Sequence, residues 1–305
     1  MLRLSPDRSS IDDLRRYRAA VFSTDAADGS TQSFDAGSAS ADGDARQALG
    51  DDGVVCLRGA FEASWLSIVE DGIVAALAGA SVDLEVVKRE GDKGQFSFSS
   101  GAWWTVEPFQ RFIFDSPLAD LVWPLLDSST LTLFYDFLLI KEAHSDGALT
   151  PWHQDHSYYP LDGTKVVNSW VALDHIPLES ALRFLAGSHS SFTLYRAVDF
   201  DDPSAAYRHA RSELPLPPIN QDDRILVTSL QPGDMLVWWS HTLHSAPGNR
   251  LDQRRAAFSV NWLGDDVTYN GQPALDTYID PLLSSGDHVV GDKFPLVRQS
   301  GAPNG

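Results

Sequence analysis

Residues 131–140 read LTLFYDFLLI, and this run marks the point where helical patterns give way to strand patterns. Leucine, aromatic and β-branched side chains dominate the run, which is typical of a strand in a buried sheet. Similar runs follow at residues 166–173, 225–228, 235–239 and 257–262. Turn residues separate them, for example PGD at 232–234 and PGN at 247–249. The second part of the chain is therefore predicted to consist mainly of strands.

The part of the chain before this run is predicted to contain helices and one strand, at residues 54–57. Residues 62–77 and 115–127 carry apolar side chains at helical spacing. Helices followed by many short strands favour a mainly β fold with flanking helices, built on a double-stranded β-helix of the jelly-roll or cupin type. We expect this core at about residues 130–263.

The first 44 residues are expected to lie outside this domain. A short helix is predicted at residues 11–20, whereas residues 24–46 are rich in Ser, Asp, Ala and Gly. Such a segment buries too little apolar area to offset the entropy of ordering it, so we expect a loose loop. Residues 45–305 are then expected to form one domain.

Charge and composition limit the partners that the chain is expected to have. It carries 42 acidic and 23 basic residues, a formal net charge of −19, which repels nucleic acid and anionic lipid surfaces. We find no signal peptide and no run of about 18 apolar residues, so no membrane partner is expected. Cys56 is the single cysteine, so no intramolecular disulfide forms. A cytoplasmic protein with a small-molecule substrate is predicted, and the oligomeric state stays open.

The motif His153-Gln154-Asp155 is the centre of the functional prediction. In a strand, residues i and i+2 project from the same face, so His153 and Asp155 are placed to ligate one metal ion. His-x-Asp is common by chance, and a third ligand must come from another strand. The segment at residues 232–244 offers His241 and His244. Two imidazoles and one carboxylate leave positions open on a metal, which is typical of iron(II) oxygenases rather than of structural zinc.

The spacing to Arg255 favours His244 over His241 as the third ligand. Arg255 lies eleven residues after His244. A keto acid that chelates iron through one end needs a fixed cation at its other end, and the planar fork of arginine suits a carboxylate. Strand alternation puts Arg255 and Ser259 on one face, so Ser259 is expected to add a hydroxyl group there. Without the upstream motif, Arg254 and Arg255 would be read as a solvated basic pair.

Four segments carry a resemblance to a known family, and they occur in order along the chain. These are TPWHQDHSYYP at 150–160, SWVALD at 169–174, LRFLAGSH at 182–189, and the stretch 232–249 with Arg255 after it. Together they resemble the phytanoyl-CoA dioxygenase family, a branch of the iron(II)- and 2-oxoglutarate-dependent oxygenases, over roughly residues 45–270. Ser180 and Ala186 depart from the family pattern, in which glycine and proline are usual at these positions.

The resemblance implies a role for each matching residue. His153, Asp155 and His244 would be the iron ligands, Arg255 the anchor of the keto acid, and Trp170 an aromatic residue beside it. The implied cofactors are Fe(2+), 2-oxoglutarate as co-substrate, and O2.

We therefore predict a dioxygenase that hydroxylates a small or medium-sized metabolite and releases succinate and CO2. The carboxylate of Asp155 favours hydroxylation or desaturation, since halogenating relatives carry a small residue in its place. No Lys/Arg cluster stands out that would bind the phosphates of a CoA ester. Two alternatives stay open: a metal-binding, cupin-like sensor without catalysis, and a zinc or manganese metalloenzyme with the same triad.

Aromatic residues are predicted to wall the substrate pocket. Residues 94–104 read GQFSFSSGAWW, a mixture of rings with Ser and Gly that suits a mobile cover. The candidate wall residues from this segment and from the barrel are Phe98, Trp103, Trp104, Tyr158 and Trp239. Ordinary packing against the barrel is an equally good interpretation of Trp103 and Trp104.

Overall fold

Two β-sheets lie at the centre of the molecule, with helices packed against the larger one. The computed structural model describes residues 29–37, 41–200, 207, 213–220, 222–272 and 283–301. The α-helices are α1 (Ala41–Asp52), α2 (Ala63–Ala75), α3 (Glu107–Asp115) and α4 (Leu118–Val122). The strands are β1 (Gly29–Ser30), β2 (Ser33–Asp35), β3 (Val54–Arg58), β4 (Glu85–Val87), β5 (Phe96–Ser100), β6 (Thr130–Lys141), β7 (Thr150–His153), β8 (Leu161–Asp162), β9 (Val166–Ala172), β10 (Arg183–Leu185), β11 (Ile225–Val227), β12 (Met235–Trp239), β13 (His244–Ala246), β14 (Arg255–Leu263), β15 (Thr268–Tyr269) and β16 (Leu296–Gln299).

Short helical turns complete the set of described elements. A π-helical turn, Ala76–Ala80, continues α2. The 3-10 turns are Ala102–Trp104, Trp123–Leu125, Asp155–Tyr158, Leu178–Ser180 and Ser188–Ser191.

The larger sheet has the strand order β2-β3-β12-β9-β14-β6-β5-β4, and β16 pairs with β6 at one side. The smaller sheet has the order β1-β11-β10-β13-β7, and β8 pairs with β15. From β6 onwards the chain passes back and forth between the sheets: β6, β9, β12 and β14 belong to the larger sheet, while β7, β10, β11 and β13 belong to the smaller one. This topology confirms the predicted double-stranded β-helix core with flanking helices.

The larger sheet has an outer face that packs against helices and an inner face that is turned towards the smaller sheet. In β6, Leu138 and Ile140 are buried in the main core, and Phe109 of α3 belongs to the same cluster. Successive side chains of a strand point to opposite faces, so Leu139 is on the inner face. There it packs against a second cluster, which contains Trp170 of β9 and also residues of the smaller sheet such as Phe184 of β10.

Helix α2 forms part of the outer layer through a close contact with α3. A Cβ atom on Gly72 would come within 2.3 Å of the Phe109 ring, so only glycine fits at this crossing. Val69 and Ile73 are buried on the same side of the helix. By length and composition alone, the helical stretch Ala63–Ala80 is long and apolar enough to cross a membrane. Its buried residues Val69 and Ile73 belong to the main core, whereas most of the stretch is exposed, so we interpret it as an outer helix of the domain.

The predicted helix at residues 115–127 is broken in the structure. Helix α3 ends at Asp115, α4 covers Leu118–Val122, and a 3-10 turn follows at Trp123–Leu125. Pro117 and Pro124 explain the breaks, because proline has no N–H donor for an internal helical hydrogen bond. The other predicted helix and strands after residue 53 that are named above occur with ends shifted by at most two residues.

The predicted loose loop at residues 24–46 is wrong where the structure describes it. Strand β1 pairs with β11 of the smaller sheet, β2 pairs with β3 of the larger sheet, and α1 begins at Ala41. Pairing with a sheet edge satisfies backbone N–H and C=O groups without burying many apolar side chains, so composition did not reveal these strands. The helix predicted at residues 11–20 lies outside the described residues.

Candidate active site

Three side chains with metal-ligating atoms come together between the two sheets. His153 ends β7 and His244 begins β13, and the two residues lie opposite each other in antiparallel register. Asp155 opens the 3-10 turn after β7. One ligand atom from each of the three lies within 4.8 Å of the other two. The extended backbone of Gln154 preserves the expected i, i+2 relation, although the strand itself ends at His153.

Backbone carbonyl groups orient both imidazole rings. Nδ1 of His153 lies 2.8 Å from the carbonyl oxygen of Pro151, and Nδ1 of His244 lies 3.0 Å from that of Thr242. If each Nδ1–H donates to its carbonyl, each Nε2 keeps a free lone pair. These Nε2 atoms lie 3.4 Å (His153) and 3.6 Å (His244) from the two carboxylate oxygens of Asp155. Burial lowers the pKa of His244 to about 4, so this ring is neutral near pH 7.

Two hydrogen-bond donors hold the carboxylate of Asp155. Nε1 of Trp238 donates to Oδ2 at 3.0 Å, and Nδ2 of Asn168 donates to the same oxygen. Burial by itself would raise the pKa of Asp155, but its interactions with His244, His153 and Trp238 outweigh burial and lower the pKa to about 2. The carboxylate is therefore ionised at neutral pH, as a metal ligand must be. Two imidazoles and one ionised carboxylate are a donor set that fits iron(II).

Replacement of Trp238 by phenylalanine tests the hydrogen bond to Asp155. Trp238→Phe removes a donor but keeps a ring beside His244, whose centroid is 5.2 Å from that of Trp238. Because outer partners of metal ligands typically contribute 10–100-fold in affinity, we expect the Kd for iron(II) to rise about 10-fold. An anaerobic metal titration measures this change.

Trp239→Phe is the matched control for that experiment. Nε1 of Trp239 donates to the carbonyl oxygen of Leu49, on the outer side of the sheet. We expect its loss to leave metal affinity unchanged. An equal loss of iron binding in both variants would contradict the role assigned to Trp238.

Arg255 is a buried cation on the inner face, at the start of β14. Its Nη1 donates to the carbonyl oxygen of Pro247 at 3.2 Å, and its guanidinium carbon lies 5.9 Å from the centre of the Trp170 ring. Among the described residues no carboxylate forms an ion pair with it, and burial alone lowers its pKa to about 10. Ser259 is buried four residues further along β14, opposite Trp170. The structure thus places the three predicted keto acid residues on one face.

Arg254 points to the opposite face and has carboxylate partners. Its guanidinium group bonds to Glu70 at 2.5 Å and to Asp174 at 3.0 Å. These bonds raise the pKa of Arg254. Arg254 is therefore part of the outer surface, while Arg255 has no carboxylate partner in the part of the chain that the structure describes, which agrees with the predicted strand alternation.

His241, the rival candidate for the third ligand, lies outside the group of ligating atoms. Its ring stacks on that of His156, with centroids 3.9 Å apart. His156 and His189 are buried as well. Nδ1 of His156 lies 3.0 Å from Oγ of Ser240, and Nε2 of His189 lies 3.0 Å from the carbonyl oxygen of Gly50. Each therefore has a protein partner at one ring nitrogen.

Aromatic side chains of β6 and β5 lie on the inner face next to Ser259. Phe137 of β6 lies opposite Ser259, and the Phe98 ring of β5 lies 6.0 Å from Phe137 and 5.1 Å from Phe96. All three rings are half-buried, so they form an accessible row. The ring of Tyr158 lies 5.8 Å from His153. Phe98 lies on the inner face and Tyr158 beside a ligand residue, and their role as wall residues of a substrate pocket stays a prediction.

The other three predicted wall residues lie elsewhere. Trp103 is part of the main core on the outer side, where its backbone N–H donates to Oδ1 of Asp136 at 3.0 Å. Trp239 packs against the same core. Trp104 is 49% exposed and contacts Trp103 edge-on. Strand alternation explains the case of Trp239, because its neighbour Trp238 occupies the inner face.

Sequence reasoning missed Trp238, Asn168 and Lys141, which all lie on the inner face. The sequence did contain a signal for Trp238 and Asn168, because each lies in a strand near a residue that had been singled out. Trp238 precedes Trp239 in the same strand, and Asn168 lies two residues before Trp170. Lys141 gave no signal, because a lysine at the end of an apolar strand ordinarily extends to solvent.

Solved structures with the same fold include enzymes that depend on a keto acid. The non-heme α-ketoglutarate-dependent epimerase SnoN from nogalamycin biosynthesis is 24% identical, with a TM-score of 0.66 over 86% of this chain and 100% of that chain. The carbocyclase SnoK from the same biosynthesis is 20% identical, with a TM-score of 0.62 over 83% and 95%. EvdO2 from Micromonospora carbonacea var. aurantiaca, solved with 2-oxoglutarate, is 20% identical, with a TM-score of 0.55 over 78% and 96%. No curated protein sequence matched.

The family model of phytanoyl-CoA dioxygenase (PhyH) matches residues 49–257, about two thirds of the chain. This span contains His153, Asp155, His244 and Arg255, which the structure collects on one inner surface. At identities below 25%, the solved structures show only that the fold is shared. The match to the family model shows the family to which the chain belongs. The chain belongs to the phytanoyl-CoA dioxygenase family, whose members use iron(II), 2-oxoglutarate and O2.

Proposed function

We propose that this chain hydroxylates a C–H bond of a small or medium-sized metabolite and converts 2-oxoglutarate to succinate and CO2. The observation that carries the proposal is the combination of the His153, Asp155 and His244 group with Arg255, a buried guanidinium that has no carboxylate partner among the described residues. Burying an unpaired charge is costly, so its presence favours an anionic ligand at this place. A metal-binding sensor without catalysis, or a hydrolytic zinc enzyme, does not need a buried cation to bind a keto acid.

Each residue of the site has a distinct proposed task. His153, Asp155 and His244 hold the iron, and Trp238 keeps the carboxylate of Asp155 in place. Arg255 binds the far carboxylate of 2-oxoglutarate through charged hydrogen bonds, and Ser259 adds a hydroxyl group on the same face. When bound, iron(II) with 2-oxoglutarate and O2 supplies the oxidising power that removes hydrogen from an unactivated C–H bond.

The carboxylate ligand favours oxygen transfer over halogen transfer. His153, Asp155 and His244 would hold the iron through two imidazoles and one carboxylate, and the carboxylate of Asp155 would occupy the place that halogenating relatives leave to a halide. Hydroxylation requires removal of one hydrogen and no further donor, so it is the simplest outcome for this ligand set.

The aromatic row favours a substrate with an apolar or ring-shaped surface. Phe96, Phe98 and Phe137 offer three half-buried rings beside Ser259. A pocket wall of this kind binds a small organic molecule by apolar contact and excludes water from it.

Epimerisation or ring closure is the second candidate reaction. The similar structures SnoN and SnoK are an epimerase and a carbocyclase, respectively. Both reactions also begin at a C–H bond, but neither requires oxygen to remain in the product.

Product mass under 18O2 distinguishes these reactions. Candidate metabolites are first screened for substrate-dependent succinate release with iron(II), and the product is then analysed by mass spectrometry. A product that carries one heavy oxygen supports hydroxylation. A product of unchanged mass or one that has lost two hydrogens would instead support the second candidate. A chlorinated product, or conversion without O2, would contradict both.

A further inference from the structure

Two tyrosines continue the aromatic row towards the metal ligands. Tyr135 lies two residues before Phe137 in β6, so both side chains are on the inner face, and both are half-buried. The hydroxyl oxygens of Tyr135 and Tyr159 lie 2.9 Å apart. Tyr159 directly follows the 3-10 turn Asp155–Tyr158, which begins with a ligand residue. This phenol pair therefore connects the strand that carries part of the aromatic row with the turn that carries Asp155.

The register of the larger sheet places the phenol pair near the metal ligands. Tyr135 lies opposite Asn261, and Asn261 lies opposite Asn168. The amide of Asn168 donates to Asp155. Adjacent strands are about 4.8 Å apart, so the backbones of Tyr135 and Asn168 are roughly 10 Å apart. A ring-sized molecule spans this distance, so a substrate that lies between the aromatic row and the metal ligands is within reach of the phenol pair.

Hydrogen bonds give the phenol pair a direction. Nδ2 of Asn261 donates to the backbone carbonyl oxygen of Tyr135 at 3.4 Å, which leaves Oδ1 of the same amide as an acceptor. The hydroxyl group of Tyr159 donates to this Oδ1 at 3.3 Å. A phenol has only one hydrogen to donate, so the hydroxyl group of Tyr135 is the donor in its bond to Tyr159. The phenol oxygen of Tyr135 therefore meets a ligand as a hydrogen-bond acceptor.

We propose that Tyr135 and Tyr159 bind a hydroxyl group of the substrate, and that the substrate is a ring compound that carries such a group. The inference rests on the proposed function and names its substrate class. The apolar part of the ring packs on Phe137 and Phe98, while its hydroxyl group donates to the phenol oxygen of Tyr135. Phenol and amide groups carry no charge, so they suit a neutral hydroxyl group, whereas a phosphate or carboxylate group is bound best by a cation.

Ring compounds with and without a hydroxyl group test this substrate class. Cyclohexanol with cyclohexane, menthol with menthane, and borneol with bornane are three matched pairs. Each compound is added to the iron(II)-loaded protein with 2-oxoglutarate and O2, and the stimulated release of succinate is measured. We expect kcat/KM for the alcohols to exceed that for their parent hydrocarbons by about 10-fold or more, because a parent leaves the polar groups of the site without a partner.

Two conservative variants test the residues, because Tyr135→Phe and Tyr159→Phe remove the hydroxyl groups and keep the rings. In each variant we expect the KM for the best alcohol to rise about 3- to 10-fold, the range for one lost neutral hydrogen bond. The preference for the alcohol over its parent is expected to fall with it. The anaerobic Kd for 2-oxoglutarate, read from the charge-transfer absorption of its iron chelate, is expected to change less than about twofold. Tyr269→Phe is the matched control, because its hydroxyl group donates to the carbonyl oxygen of Gln272.

Equal stimulation by the alcohols and their parents would overturn the inference. A panel in which no alcohol stimulates succinate release, although the chelate absorption forms, would also overturn it. So would a preference for alcohols that survives in the phenylalanine variants, or a loss of 2-oxoglutarate affinity as large as the loss for the alcohol, which would indicate a general structural effect. If one variant does not fold, the other carries the test. If the wild-type protein formed no chelate absorption, the proposed function itself would fail.

Discussion

Alanine in place of His153, Asp155 or His244 is expected to abolish iron(II) binding and turnover. Each substitution removes one of three ligand atoms that lie within 4.8 Å of one another. A facial ligand set with one member missing leaves the metal weakly held and open to water. Metal content after anaerobic loading with iron(II) and gel filtration measures the effect, and succinate formation provides the second readout.

His241→Ala is the control for these variants. His241 is buried near the ligand segment but stacks on His156, so its loss is expected to leave metal content close to that of the wild type. All four variants are expected to remain folded, because the main core is formed by apolar side chains away from the ligands. Loss of metal in His241→Ala with retention in His244→Ala would show that the third ligand is misassigned.

The second large effect is expected at Arg255. Arg255→Ala leaves the distal carboxylate of 2-oxoglutarate buried without its guanidinium partner, which costs about 2–5 kcal/mol. The apparent KM for 2-oxoglutarate should therefore rise by roughly 30-fold or more, because 1.4 kcal/mol corresponds to a factor of ten. Succinate formation at varied 2-oxoglutarate concentration measures this change.

Arg254→Ala is the matched control on the neighbouring residue. It removes ion pairs with Glu70 and Asp174 on the outer face, so we expect a small effect on stability and almost none on the KM. Equal increases of the KM in Arg254→Ala and Arg255→Ala would mean that the assignment of the inward-facing arginine is wrong.

Strand alternation made much of the site predictable. The i, i+2 relation placed His153 beside Asp155, and the same rule placed Arg255 and Ser259 on the inner face. These inferences need only the local backbone conformation, and a run such as residues 131–140 identifies that conformation. The fold class followed from the order of helices and strands.

Contacts between distant elements were not predictable in the same way. Lys141 and Pro247 are 106 residues apart in the chain, and their contact depends on how β6, β13 and β14 are arranged. Trp103 and Trp239 were predicted to be pocket-wall residues from their residue type alone. Both pack at the main core on the outer side of the larger sheet, and this position determines their role. Strands β1 and β2 escaped prediction because edge pairing depends on backbone hydrogen bonds rather than on composition.

The central claim is that His153, Asp155 and His244 hold an iron(II) ion to which 2-oxoglutarate binds. Anaerobic titration of the iron-loaded wild-type protein with 2-oxoglutarate tests it most directly, because it requires no knowledge of the substrate. We expect a visible charge-transfer band that saturates with 2-oxoglutarate in the wild type and is absent in His244→Ala. A wild-type protein that binds iron(II) but develops no such band at saturating 2-oxoglutarate would contradict the claim.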